Sequence, residues 1–421
     1  MRRWCHVLSI GLCLALLVVM AWSPTEVRAA SEAQIQELIQ ELKALKARVA
    51  ELERKLEAAE ARAKRAEAAS QEAQKAARQA QSHSVKLSQQ VEEVSRQAPA
   101  VLSELGKRIT IYGAVEVEGS WQRNKPKHGQ TSTSSEITLA TGEIFFEAQI
   151  NRYTRGVLHF LWEQGSTEPV DLDEGFILLG QTEDMPFYFL GGRIYPAVGL
   201  FDSYLISDPI TKNVFETQAS AAEVGWAGSW VNVSAGLFNS DVHESGDDPD
   251  SQINTYYARV QLESPEGALG EVTLHAGLAY INNIAASNTL RDEVPDQRLS
   301  SLVAGLSAML AVEYKWLAFT GEYITALDDF KAGELSFADD HTARPKAWNL
   351  ELAFMPIQDW TVAVRYEGSS DLYSLEPERQ WGLGVAWDFL PDTTLSLEYM
   401  HGVFKNDDER DLITTQLAVG F

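Results

Sequence analysis

The last ten residues of the chain alternate between apolar and more polar side chains, which is the pattern of a β-strand with two unlike faces. Successive side chains of a strand point to opposite sides. One face carries Ile413, Leu417, Val419 and Phe421, and the other carries Leu412, Thr414, Gln416, Ala418 and Gly420. In hydrocarbon, only helices and closed barrels satisfy all their backbone hydrogen bonds. A strand with one apolar face and one water-facing face is therefore the unit of a transmembrane barrel. A soluble β-sandwich can also end on such a strand, so the rest of the sequence is needed to distinguish a sandwich from a membrane barrel.

The amino terminus predicts export. Basic residues precede an apolar run from Val7 to Ala21, and the segment Val27–Ala29 supplies a cleavage pattern, so residues 1–29 are predicted to be a secretory signal peptide. A lipoprotein is the alternative, but Cys13 lies in the middle of the run without a small residue before it. Cys5 and Cys13 are the only cysteines. The exported chain is therefore predicted to have no disulfide and no cysteine metal site.

The net charge of −25 is unevenly distributed along the chain. Residues 1–100 contain 15 Lys and Arg against 12 Asp and Glu, whereas residues 101–421 contain 20 against 48. So acidic a surface repels phosphate backbones, and nucleic acid is not an expected partner. After the signal peptide no segment approaches the roughly 20 apolar residues of a spanning helix. If the protein crosses a membrane, it must do so with strands.

A heptad repeat occupies the region after the signal peptide. Apolar or small residues recur in one phase from Ile35 to Val94, with Leu and Val near the ends and Ala in the middle. This repeat predicts an α-helical coiled coil over residues 31–98, about 90 Å long at 1.5 Å per residue. A trimer is the preferred interpretation, while a dimer and a single solvated helix stay open. Pro99 and Gly106 end the helix, so residues 99–108 are predicted to be a hinge.

From Ile109 onward the helical period gives way to alternation punctuated by turn residues, which predicts sixteen strands. The fold class predicted for residues 109–421 is an all-β transmembrane barrel of 16 antiparallel strands, preceded by the coiled coil. The sixth strand is predicted at Phe215–Ala227 and the tenth at Leu299–Glu313. Connections are short after even strands and long after most odd ones. Since outer-membrane barrels have short periplasmic turns, both ends of the barrel are predicted to lie in the periplasm.

The same alternation places many glutamates on the water-facing side of the strands and few cations, chiefly Arg259 and Arg365. A pore lined in this way attracts cations and repels small anions. The alternative is that these carboxylates pair with loop lysines or lie near the rims. The predicted water-facing glutamates are Glu116, Glu118, Glu143, Glu147, Glu263, Glu271, Glu313, Glu322, Glu351, Glu367 and Glu398.

The connection after the fifth strand, residues 196–213, is too apolar for a loop exposed to water, so we expect it to fold into the barrel. It would narrow the channel, as the third outside loop does in sixteen-stranded porins. A lid over the mouth and a contact with a neighbouring subunit are the alternatives. The residues predicted to contact a solute at this constriction are Arg193, Asp202, Asp208, Lys212, Glu216, Arg259, Arg365 and Glu367.

Five segments of the chain resemble LbtU-type siderophore porins, which also join a coiled coil to a barrel. The matching segments are Gly113–Glu118, Gly192–Tyr195, Ser207–Pro209, Glu216–Thr217 and Phe238–Val242. The resemblance implies outer-membrane uptake of an iron-bearing siderophore, whereas the residues themselves indicate only a pore. An acidic lumen would disfavour a carboxylate-rich siderophore unless its charge is masked.

The sequence therefore predicts an outer-membrane porin for small solutes, with ferric siderophore uptake as the finer hypothesis. A structural tether, in which the barrel anchors a periplasmic rod, is the rival. No enzyme is predicted, because His401 faces outward without a nucleophile beside it. No cofactor and no metal site are predicted. The expected partners are membrane lipid and lipopolysaccharide, a small solute, and further copies of the chain through the coiled coil.

Overall fold

A computed structural model describes residue 106 and residues 108–165, 167–246 and 252–421. The predicted signal peptide and coiled coil, and most of the predicted hinge, lie outside the described residues. Within the described part, no helix is both long enough and apolar enough to cross a membrane.

Sixteen long antiparallel strands form one closed barrel. Their bounds are β1 Ile109–Lys125, β2 Ser132–Asn151, β3 Thr154–Glu163, β4 Thr167–Thr182, β5 Met185–Ile194, β6 Ala219–Ala227, β7 Val231–Phe238, β8 Thr255–Glu263, β9 Val272–Ile281, β10 Gly305–Tyr314, β11 Leu317–Ala326, β12 Lys346–Ile357, β13 Trp360–Ser370, β14 Arg379–Leu390, β15 Thr393–Val403 and β16 Glu409–Gly420.

The last strand closes the barrel against the first. In the register between β16 and β1, Ile413 lies opposite Trp121 and Val419 lies opposite Val115. The terminal Phe421 extends this ladder, because its N–H donates to the Gly113 carbonyl and its own carbonyl accepts from the Gly113 N–H, both at 3.0 Å. Every barrel strand therefore has two hydrogen-bonded neighbours, so the sheet has no open edge. The predicted sixteen-stranded antiparallel barrel is confirmed.

The two faces of the strands have opposite exposure. On β15 the outward Leu397 is 54% exposed, whereas the next residue, the inward Glu398, is 1% exposed. Val224 and Glu223 on β6 show the same contrast, at 58% and 4%. A soluble protein buries its apolar side chains and exposes its charges. This inversion is the pattern of a barrel whose outer surface contacts hydrocarbon.

The connections mostly alternate in length as the sequence predicts, but the connection after β8 has eight residues where a short turn is predicted. Turns after β2, β4, β10, β12 and β14 are two residues long, whereas the connections after β5, β9 and β11 are the longest. We number the connections after odd strands in chain order. The three longest are then loop 3 (195–218), loop 5 (282–304) and loop 6 (327–345). The number of strands is even, so β1 begins and β16 ends at the barrel end that carries the short turns.

The predicted sixth and tenth strands begin too early. Residues Ile210–Phe215 form a short helix, α1, and β6 begins only at Ala219. Apolar side chains at helical spacing within α1 are buried together, so helical packing replaces the alternation that was expected there. Leu299 also precedes its strand, since β10 begins at Gly305. Leu299 is fully buried in a two-residue parallel pairing with the connection after β7. A second short helix, α2, spans Asn288–Glu293.

The long loops fill part of the barrel with an apolar cluster that we call the loop core. It joins loops 3, 5 and 6 to the inward faces of strands between β5 and β12. Because these side chains are almost fully buried, they hold the loops inside the barrel by hydrophobic packing. Prominent members of the loop core are Ile194, Val198, Ile210, Val214, Phe215, Phe238, Ile281, Ile284, Leu290, Leu299, Ile324, Phe330 and Leu335.

Candidate functional site

Loop 3 runs inside the barrel and is held by carboxylates of the wall. Glu322 on β11 accepts a hydrogen bond from the Leu200 N–H at 2.6 Å and another from the Thr211 hydroxyl at 2.7 Å. Glu367 on β13 accepts the Ile210 N–H at 2.7 Å. These contacts fix both ends of the segment from 200 to 211. They also satisfy backbone donors that would otherwise be buried without a partner.

The middle of the same segment has its own pair of carboxylates. Glu351 on β12 accepts the Tyr204 N–H at 2.5 Å and the Ser203 hydroxyl at 3.1 Å. Glu398 on β15 accepts the Ser207 N–H at 3.0 Å and also its hydroxyl. Four strands thus bind one stretch of loop through charged acceptors, which make stronger hydrogen bonds than neutral ones.

Arg365 on β13 completes this arrangement. Its side chain has no solvent exposure, and its Nε lies 2.9 Å from Glu351 Oε2, while its Nη1 lies 3.5 Å from Glu367 Oε1. Its Nη2 donates to the Ser207 carbonyl at 2.8 Å. The guanidinium therefore both pairs with two of the wall carboxylates and binds the loop. We call the set formed by Glu322, Glu351, Arg365, Glu367 and Glu398 the loop-3 anchor.

The loop-3 anchor changes the role expected for two of its members. Arg365 and Glu367 are predicted to contact a solute, but they lie beneath loop 3, and the whole residues are only 2% and 0% exposed. The physical reason is that a loop packed inside the barrel needs partners for its amides, and inward carboxylates provide them. These residues hold loop 3, which forms one wall of the constriction, and they do not line the open space beside loop 3.

A cavity of about 920 Å³ lies between loop 3 and the inward faces of β1–β4 and β16. Many more acidic than basic side chains line it, and we call it the acidic cavity. The carboxyl groups in its lining are those of Glu116, Glu118, Glu143, Glu163, Asp173, Glu174, Asp208 and Glu216, whereas Lys212 and His159 are the basic groups. In the part of the chain that is described, no cluster of His, Cys, Asp or Glu side chains is arranged to hold a metal ion.

Three predicted residues of loop 3 meet on the cavity side of α1. Lys212 Nζ lies 3.1 Å from Asp208 Oδ1 and 4.0 Å from Glu216 Oε1. Burial raises the pKa of Glu216 to about 7; the nearby Lys212 opposes this rise, and Asp208 adds to it. Burial disfavours the charge of Lys212, but the two carboxylates outweigh it and raise the pKa of its ammonium group.

The opposite side of the acidic cavity is formed by packed side chains of the barrel wall. His159 on β3 has its Nε2 2.9 Å from Glu143 Oε2 and its Nδ1 3.1 Å from Asp173 Oδ2. Its ring also stacks on Phe145, with centroids 3.8 Å apart and planes 8° from parallel. On β16, Gln416 donates to Glu118 at 2.8 Å. The Glu143 hydrogen bond and the stacking on Phe145 thus orient the His159 ring, which lies between the carboxylates of Glu143 and Asp173.

The remaining predicted residues, Arg193, Asp202 and Arg259, do not line the acidic cavity. Arg193 donates to the Gln218 side chain at 2.6 Å and to the Asp173 carbonyl at 3.1 Å, so it supports the edge of the acidic cavity from behind. Asp202 in loop 3 and Arg259 on β8 are not among the residues that line this cavity.

Sequence reasoning missed three carboxyl groups and one histidine of the lining, which are Glu163, Asp173, Glu174 and His159. The register between β3 and β4 shifts at His159, where a bulge brings two consecutive residues of β4 toward the lumen. Strict alternation cannot assign such a pair to one face. The acidic run from Asp171 to Glu174 was the signal that could have located it.

No family model matches this chain. A UPF0422 protein of Coxiella burnetii is 24% identical over 330 residues, which cover 75% of this chain and 69% of the relative. A UPF0422 protein of Legionella pneumophila is 21% identical over 323 residues, covering 70% of this chain and 59% of the relative. The chain thus spans less than two thirds of the length of that second relative.

Solved structures share the architecture at low identity. The outer membrane channel DcaP of Acinetobacter baumannii gives a TM-score of 0.51 at 10% identity, covering 74% of this chain and 97% of that one. The anion-selective porin of Comamonas acidovorans gives 0.51 at 12% identity, covering 74% and 99%. OprB of Pseudomonas putida gives 0.52 at 9% identity, covering 77% and 97%. These similarities establish a porin-like barrel fold for this chain.

Proposed function

We propose that this protein is an outer-membrane porin whose channel prefers small cations to anions. The observation that carries the proposal is the acidic cavity beside loop 3, where eight carboxyl groups face one lysine and one histidine. Negative charge in a narrow passage raises the local cation concentration and repels anions. The outward apolar face and the similarity in fold to outer-membrane channels support a location in the outer membrane. On this proposal the protein is a channel and not a catalyst.

The proposed orientation follows from the loops. Short turns and both ends of the barrel face the periplasm, and the long loops face outward. Residues 1–29 then act as a signal peptide, and residues 31–98 form a periplasmic coiled coil that joins copies of the chain, with a trimer preferred. Lipid and lipopolysaccharide of the outer membrane surround the apolar face.

The test is planar-bilayer recording of the purified protein across a gradient of potassium chloride. We expect stepwise open conductance and a reversal potential of the sign that cation preference gives. Glu118→Gln removes one charge from the acidic cavity and should shift the reversal potential toward zero. Glu271→Gln serves as the matched control, because Glu271 pairs with Lys315 at 2.9 Å away from this cavity. A preference for anions would contradict the proposal.

Ferric siderophore uptake is the finer proposal, and it is supported by the resemblance to LbtU-type siderophore porins. The acidic cavity narrows the class of complex, because it disfavours an anionic, carboxylate-rich siderophore and accepts an uncharged or cationic one. Deleting the gene should reduce growth on a supplied uncharged ferric siderophore when iron is otherwise withheld. Unchanged growth would contradict the proposal of siderophore uptake and leave the general porin proposal intact.

The tether is the rival to any transport role. It is favoured by the predicted rod of residues 31–98 and requires no open channel. A barrel that is silent in bilayers, together with a deletion strain that sheds membrane vesicles, would support the tether. Open conductance with an unaltered envelope would support the porin.

A further inference from the structure

We infer that Lys212 is a tethered counter-ion that occupies the main cation position of the constriction and thereby limits both cation flow and cation preference. The inference rests on the proposed porin function and assigns a specificity-determining role to one residue within it. Lys212 is the only lysine that lines the acidic cavity in the described structure. Its ammonium group lies between Asp208 and Glu216, and the charge of Glu163 also acts on it.

The backbone that carries Lys212 is fixed on several sides. Glu367 binds the Ile210 N–H and Glu322 binds the Thr211 hydroxyl, which holds the start of α1 against the wall. From loop 5, the Asn288 N–H donates to the Glu216 carbonyl at 2.9 Å. The helix therefore cannot retreat from the channel without breaking wall and loop contacts.

A purely structural role explains this position less well. An ion pair between residues four apart contributes little to stability when it is partly exposed. The side chain of Lys212 is 31% exposed, and α1 is already held by the loop-3 anchor and the loop core. Its position among carboxylates, at the edge of the open space, instead places a fixed positive charge where a permeating cation would pause.

The same geometry defines the solute chemistry that competes with Lys212. The position accepts an ammonium group that donates a hydrogen bond to Asp208, as Lys212 does at 3.1 Å, and whose charge is attracted by Glu216, 4.0 Å away. Primary ammonium compounds should therefore bind there once Lys212 is removed. A cation without N–H donors lacks the hydrogen bond to Asp208. Butylammonium and tetramethylammonium are therefore a suitable probe and its control.

The experiment is bilayer recording of the full protein with Lys212→Met and Lys212→Arg. Lys212→Met should raise the ratio of potassium to chloride permeability by about threefold, because one nearby positive charge is lost. Butylammonium should block it at about fivefold lower concentration than the wild type, with tetramethylammonium unchanged. Lys212→Arg should behave like the wild type. Lys405→Met is the matched control, since Lys405 lies over the Tyr373 ring outside the acidic cavity.

The outcomes separate this inference from the proposed function. A wild-type channel that does not prefer cations would refute the proposed function itself. A cation-preferring wild type whose selectivity and butylammonium block are unchanged in Lys212→Met would overturn the role of Lys212 alone. If Lys212→Met fails to fold, Lys212→Gln provides the same loss of charge, and an unchanged selectivity in that variant would overturn the inference equally.

Discussion

Two sides of the same barrel carry inward glutamates, and the two sets have opposite surroundings. On β11, β12, β13 and β15 the carboxylates accept amide and hydroxyl hydrogen bonds from loop 3 and are almost fully buried. On β1 and β2, Glu116, Glu118 and Glu143 line the acidic cavity. An inward glutamate is therefore not by itself a pore charge. The course of loop 3 decides whether it positions the channel or faces the solute.

Substitutions in the loop-3 anchor should have the largest effect on stability. Arg365→Met removes the buried guanidinium and leaves Glu351 and Glu367 without their common partner, which should cost about 3–5 kcal/mol in the free energy of unfolding. Loop 3 should loosen, and open-channel current should become larger and noisier. Urea unfolding in lipid vesicles and bilayer recording measure the two effects. Arg259→Met is the control, and an equal loss of stability there would argue against a special role for the anchor.

A pair of matched substitutions separates the two sides directly. Glu351→Gln should lower the free energy of unfolding by about 1–3 kcal/mol, because a buried charged acceptor is lost, and should change selectivity little. Glu118→Gln should leave stability nearly unchanged and reduce cation preference by about twofold, since one charge near the ion path is removed. Urea unfolding and reversal potentials test both. Exchanged phenotypes would show that the assignment of the two sides is wrong.

The smallest expected effect is a pH dependence of selectivity. The pKa of Glu216 is raised to about 7, so this carboxyl group is mostly neutral below pH 7 and negative above it. Cation preference should therefore rise as the pH increases through about 7 and fall as it decreases. Glu216→Gln should remove this step while keeping the channel open. A step of the same size in Glu216→Gln would assign it to another group.

The strand count, the closure by the final strand and the parity of the loops were predictable from sequence, because alternation and turn residues are local signals. The inward course of loop 3 was also expected, since residues 196–213 are too apolar for water. The start of β6 was not predictable in the same way. Helix α1 is only six residues long, and its apolar side chains acquire their burial from distant parts of the chain.

The sequence alone could not show which glutamates line the channel. The contact between Leu200 and Glu322 joins residues 122 positions apart, and the contact between Ser207 and Glu398 joins residues 191 apart. Alternation assigns Glu118 and Glu351 to the same inward face, and nothing local distinguishes them. Only the packing of one loop against strands far along the chain gives them different roles.

The most direct test of the two-sided barrel compares the accessibility of single cysteines. The only native cysteines, Cys5 and Cys13, lie within the predicted signal peptide. In Glu118→Cys, a small cationic thiol reagent should react rapidly in the folded channel and reduce its current. In Glu351→Cys, the same reagent should react only after unfolding, because loop 3 covers that position. Equal reaction rates at the two positions in the folded protein would contradict the account.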